Sequence, residues 1–168
     1  MSGRAAALRE AFDRAFAEPA GGAQVQLRAF LAIGIGGAAH AIDIAEISGL
    51  HAGKPITALP DAAPEFLGLA GFRGVVVPVY DLRVLLGQPA QAAPRWLVTA
   101  QAAPVAFAFD AFEGHLRVPL ETIVREEEGQ SRTRRALRME GVVRPIVEIA
   151  SLVEAVKIRA QAARQGGE

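Results

Sequence analysis

Two stretches of this chain carry one pattern, and that repetition limits the fold more than any other feature. Gly74-Val75-Val76-Val77-Pro78-Val79-Tyr80-Asp81-Leu82 matches Gly141-Val142-Val143-Arg144-Pro145-Ile146-Val147-Glu148-Ile149 in its glycine, proline, acid and apolar positions. The two glycines are 67 residues apart, and the same offset carries Arg28 onto Arg95 and Phe30-Leu31 onto Leu97-Val98. It also carries Ala41-Ile42-Asp43 onto Ala108-Phe109-Asp110, Glu46 onto Glu113, Ile56 onto Ile123 and Leu85-Leu86 onto Leu152-Val153. A chance match would fail away from its origin. One ungapped offset therefore predicts an internal duplication, residues 24–90 against 91–157. The repeat boundary need not be the structural boundary, because a strand can pair across to the other unit.

The grammar within each unit is that of β structure. Val25, Leu27, Ala29, Leu31, Ile33 and Ile35 recur at every second position, which is strand periodicity. Gly36-Gly37 is a hairpin turn signal, and Ala38–Ile44 returns as the second strand. Ile47–Leu50 reads as another short strand, and Pro55–Pro64 as a loop; Glu65–Leu67 reads as at most one helical turn. Gly68–Gly87 then reads as a strand, a turn at Arg73-Gly74, an apolar strand Val75–Tyr80 and a helical start capped by Asp81, with Leu82, Leu85 and Leu86 as its apolar face. The second unit gives strands at Arg95–Ala100, Val105–Phe109 and His115–Val118 and a turn at Pro119–Ile123. Arg125–Arg138 reads as a solvated polar interruption, and Ala136–Met139 and Arg144–Glu148 then bracket a tight hairpin turn at Glu140-Gly141. A helix from about Ala150 to Arg164 closes the chain, with Leu152, Val153, Val156 and Ile158 facing inward. Many short strands between Gly and Pro turns point to two small barrels. Ahead of them, residues 4–17 read as a helix with Leu8, Phe12 and Phe16 on one face, followed by a linker to residue 23. That helix either packs on its own domain or docks a partner.

Composition narrows the function. Lys plus Arg and Asp plus Glu are 18 each, so the chain lacks the basic excess of a general nucleic-acid binder. It has no cysteine, which removes disulfides, thiolate metal sites and a cysteine nucleophile together. No apolar run reaches membrane-spanning length, and the charged N-terminus does not read as a signal peptide; a cytoplasmic protein is the expectation. His40, His51 and His115 show no metal-ligand spacing. Asp43 and Asp110 fall on equivalent repeat positions, as a paired-carboxylate site would require, but ends of strands are equally good places for acids that bond turn N–H groups. The outline is a binding or scaffold protein with no enzymatic activity, cofactor or metal. Arg73 stands out: it precedes Gly74 in a tight turn beside Phe72, where the second copy has Glu140. It either braces backbone carbonyls or offers its guanidinium fork to a partner acid.

These residues resemble a known family. Pro60…Pro64-Glu65-Phe66-Leu67-Gly68, followed by Phe72-Arg73-Gly74-Val75-Val76-Val77-Pro78-Val79-Tyr80-Asp81-Leu82-Arg83, is similar to the signature of CheW-like chemotaxis coupling proteins. Ala41-Ile42-Asp43-Ile44 and Phe109-Asp110-Ala111-Phe112-Glu113 resemble two further segments of that family, and the likeness spans about 25–157. The resemblance implies a mainly β fold of two SH3-like five-stranded barrels, here with an N-terminal and a C-terminal helix, and a scaffold without catalysis. It implies two partners, the regulatory domain of a CheA-type histidine kinase and the cytoplasmic tip of a methyl-accepting chemoreceptor, with no nucleic acid and no membrane insertion. By the same resemblance, the partner-binding residues are Ile44, Ile47, Gly49, Phe72, Arg73 and Trp96. The chain departs from the pattern where the family's acidic residue falls on Gly49 and its usual Asn on Gly71. The rival reading is a small-ligand barrel with a pocket around His40, Trp96 and His115.

Overall fold

The computed structural model describes residues 25–60, 62–90, 94–128 and 132–165; the predicted helix 4–17 and the linker to 23 lie outside them. Within them the strands are β1 (Leu27–Ile35), β2 (Ala38–Asp43), β3 (Ile47–Ala52), β4 (Phe66–Phe72), β5 (Val75–Asp81), β6 (Trp96–Ala100), β7 (Ala106–Phe109), β8 (Ala111–Pro119), β9 (Ile123–Glu128), β10 (Arg132–Met139) and β11 (Val142–Val147). A one-turn helix α1 (Leu82–Leu85) follows β5, and a longer helix α2 (Ile149–Gln165) follows β11. Asp81 caps α1 as its sequence position predicts, its carboxylate accepting from the Arg83 N–H at 2.8 Å.

Three expectations change. Phe66 opens strand β4, opposite Tyr80, in place of a helical turn. The stretch 125–138 is a hairpin, in which β9 and β10 pair in register from Ile123↔Leu137 to Glu128↔Arg132. Its charges hid the strands: Arg125 and Arg138 are exposed, whereas the adjacent Ala136 and Leu137, on opposite faces of β10, are both buried. Ile158 is 64% exposed, since α2 buries Ile149, Val153 and Val156 at four- and three-residue steps and 158 falls round the other side.

The strands form two sheets, ordered β8-β1-β2-β11-β10-β9 and β3-β6-β7-β5-β4. Each sheet therefore draws on both halves of the chain. The first half lends β1 and β2 to the strands of the second half, and receives β6 and β7 in return. The exchange is sealed by two parallel joints, β2 on β11 and β7 on β5, in otherwise antiparallel sheets. The pairing registers also correct the ungapped repeat. Met139↔Val142 reproduces Phe72↔Val75 at offset 67. Val79 pairs Ala106, however, whereas Ile146 pairs Ala41. Likewise Gly49 pairs Thr99, while Gly114, not Leu116, pairs Ala32. Across β2–β3 and β7–β8 the structural offset is 65, so Asp43 and Asp110 are not equivalents, although 67 aligns them in sequence.

The apolar residues sort into three cores. Phe30, Ala41, Leu137 and Ile146 fill one sheet's interior, and their counterparts Leu97, Ala106, Ala70 and Val79 fill the other's. The largest core lies between the sheets, where Leu31, Ile33, Ile42, Phe107 and Phe109 meet Leu82 and the inner face of α2. Strand β1 serves two cores at once, which is why it is buried on both faces from Phe30 onward. Arg83 ties the exchange together. Its guanidinium pairs with Asp110 at 3.2 Å, and the same carboxylate oxygen accepts the Gly36 N–H at 2.7 Å.

Candidate functional site

The β4–β5 hairpin and the edge strand β3 enclose a groove of about 370 Å³. The hairpin turn sets its rim. Arg73 and Gly74 both have positive φ, 49° and 81°, so this two-residue turn suits the right-handed twist of the flanking strands. Farther down, Gly68 has φ 136° and would bring a Cβ within 2.1 Å of the Thr57 carbonyl oxygen. Only glycine lets the 55–60 segment close on β4 there, through paired backbone bonds between Thr57 and Leu69 at 2.8 and 2.9 Å. Phe72 is 8% exposed and forms the floor with Val77 and Val105, while Val75 at the rim is 54% exposed.

Three of the six residues expected to touch a partner, Gly49, Phe72 and Arg73, line this one groove. The other three lie elsewhere: Ile44, Ile47 and Trp96 are half-buried and pack on the margin of the central core. Trp96 also meets Phe112 across the two sheets, with ring centroids 5.2 Å apart. His115 approaches the same Phe112 ring at 5.6 Å, but His40 lines a different groove, beneath α2, with its Nδ1 at 3.0 Å from the Ala38 carbonyl. The trio of the rival reading is thus split. Asp43 pairs with Arg28 and accepts from the Ala45 N–H at 3.0 Å, so it and Asp110 are each committed to structural partners.

The groove holds one residue that the motif match missed, His51, and a second, Lys54, stands beside its floor. The His51 ring stacks on Phe72 at 4.6 Å, and the Lys54 ammonium lies 5.4 Å from the same ring's centroid. A Cβ at Gly49 would stand 2.7 Å from His51 Nε2. The imidazole therefore occupies the space into which a side chain at 49 would point. Desolvation lowers the His51 pKa from its ordinary value, and the charges of Lys54 and Arg73 lower it further. No Asp or Glu lines the groove, and among the described residues neither Lys54 nor Arg73 makes an ion pair. The signal for both was present in the sequence, where β3 runs straight into His51 and Lys54, but their link to Phe72 depends on tertiary closure.

The model of the CheW-like domain matches residues 29–157. A crystal structure of the scaffolding protein TtCheW from Thermoanaerobacter tengcongensis superposes with a TM-score of 0.63 at 13% identity, covering 72% of this chain and 88% of that one. Among curated proteins none matches the chain by sequence. The mainly β architecture of two sheets and a C-terminal helix is the one the repeat predicts, and among the described residues no helix is long and apolar enough to cross a membrane. The family match covers most of the chain, and the chain belongs to the CheW-like domain family of non-enzymatic chemotaxis scaffolds.

Proposed function

We propose that this protein couples the cytoplasmic tip of a methyl-accepting chemoreceptor to the regulatory domain of a CheA-type histidine kinase, in the cytoplasm. The observation that carries this reading is the convergence of Gly49, Phe72 and Arg73, chosen from a sequence resemblance, in one groove whose margin is apolar and exposed. A surface with a buried aromatic floor and a charged rim is the anatomy of a protein-binding patch. Ile44, Ile47 and Trp96 each pack, half-buried, on the margin of the central core outside the groove lining.

Calorimetric titration of the full chain with the kinase regulatory domain and with the receptor tip from the same organism tests the reading. Binding of both partners, together and without competition, is the expected result. Binding of neither would refute it, and displacement of one by the other would mean that the two partners share one face.

A further inference from the structure

We propose that residues 4–17 dock back onto their own chain as an amphipathic helix, laying Leu8, Phe12 and Phe16 on an apolar patch formed by Val25, Leu27 and Leu120. This docking is independent of the coupling function. The segment lies outside the described residues, and the patch it meets lies within them. The patch is the uncovered end of the face that builds the central core. Leu27, Leu31 and Ile33 share one face of β1, because side chains alternate along a strand. The second sheet and α2 cover that face at Leu31 and Ile33, which belong to the central core. The cover stops short of Leu27, which is 59% exposed. Leu27 pairs with Pro119 at the end of β8, and the neighbouring Leu120 N–H donates to the Gln26 carbonyl at 3.2 Å. Val25 and Leu120 are exposed as well. Backbone pairing thus brings apolar side chains from two distant parts of the chain to one edge and leaves them in water.

Pattern and tether together select the occupant. Leu8, Phe12 and Phe16 recur at four-residue steps, with Ala5 and Ala15 beside them, so a helix over 4–17 carries one apolar stripe. A helix that short is marginal in water by itself and needs an apolar face to pack on. The linker 18–24 spans at most about 25 Å, and it delivers the chain to Val25, inside the patch. So short a tether holds the stripe near the patch at an effective concentration on the order of millimolar, which favours it over any partner arriving from solution.

Amide hydrogen exchange and limited trypsin digestion of the full chain test the docking, since Arg9 and Arg14 place cleavage points inside the segment. In the wild-type chain the amides of 4–17 are protected and cleavage after Arg9 and Arg14 is slow, at any protein concentration. Phe12→Asp raises the cleavage rate about tenfold by removing one buried aromatic contact, and Leu27→Asp does the same from the other side. The two substitutions together add little to either alone. Leu120→Asp leaves β1 untouched and gives the same release, which keeps the test open should Leu27→Asp destabilise the sheet. Val143→Asp, at an exposed valine of the β10–β11 hairpin, leaves the protection unchanged and controls for the added charge. Free exchange of 4–17 in the wild-type chain overturns the proposal. Protection that appears only when the kinase domain or receptor tip is added also overturns it, because the stripe then belongs to a partner. Protection that grows with protein concentration assigns the patch to a second copy, with the same result. Protection that survives both Leu27→Asp and Leu120→Asp places the helix elsewhere on the body and overturns the proposal too.

Discussion

The β4–β5 and β10–β11 hairpins share a backbone and differ in chemistry. Both turn on a residue and a glycine with positive φ, Arg73-Gly74 in the first and Glu140-Gly141 in the second. Both expose a valine pair just beyond the turn, Val75-Val76 and Val142-Val143. In the first, however, Phe72 floors an open groove under His51. In the second, Leu116 takes the place of His51 by register, and with Met139 it packs onto the core. Ser48 and Val77 of the first have Glu113 and Arg144 as counterparts, which close on each other at 2.7 Å. The fold keeps the hairpin, and the side chains around it determine whether the face is open and basic or filled and self-neutralised.

Breaking this contrast begins with its floor. Phe72→Ala is expected to cost about 3 kcal/mol of folding stability and Met139→Ala about 2 kcal/mol, measured by chemical denaturation. A smaller cost at Phe72 would mean the groove floor is already loosely packed. Gly68→Ala comes next, at about 2 kcal/mol, because the new methyl meets backbone that cannot move aside. A negligible loss would show that the Thr57 contact is not tight in solution. Arg73→Asn and Glu140→Asn should each stabilise by about 0.5 kcal/mol, since Asn tolerates left-handed backbone better than either native residue. Equal gains would confirm that the two turns are the same device, and a gain at Glu140 alone would reveal an unseen bond at Arg73. The smallest effect is one of pH. The folded pKa of His51 lies below its unfolded value near 6.5, so the unfolded chain takes up the proton first. Stability is therefore full above that value and falls as pH drops from it toward the folded pKa. His51→Gln should flatten the slope in that window, and an unchanged slope would mean His51 is solvated like a free imidazole.

Much of the architecture was legible in the residues because turns and strand cores are local. Gly36-Gly37, Arg73-Gly74 and Glu140-Gly141 mark their hairpins directly, and Asp81 marks the cap. Less visible was what depends on pairing. Asp43 and Asp110 align in sequence, yet a two-residue shift in β2–β3 against β7–β8 gives them different jobs. The charged run 125–138 hid strands because it shows no clean two-residue alternation, the adjacent Ala136 and Leu137 both being buried. Of the candidate site, the hairpin half was readable from its motif. Lys54 and His51 were not, since nothing local brings residue 54 over the ring of residue 72.

The exchanged strand pairs carry a mechanical consequence. Flexing one half of the chain against the other would break main-chain bonds at β2–β11 and at β5–β7 together, with the fourteen-residue central core sheared between them. A molecule stitched in this way has no natural hinge along the line of its sequence repeat. It behaves as a stiff spacer, and whatever is fastened at the β4–β5 groove moves in step with whatever is fastened at the opposite end.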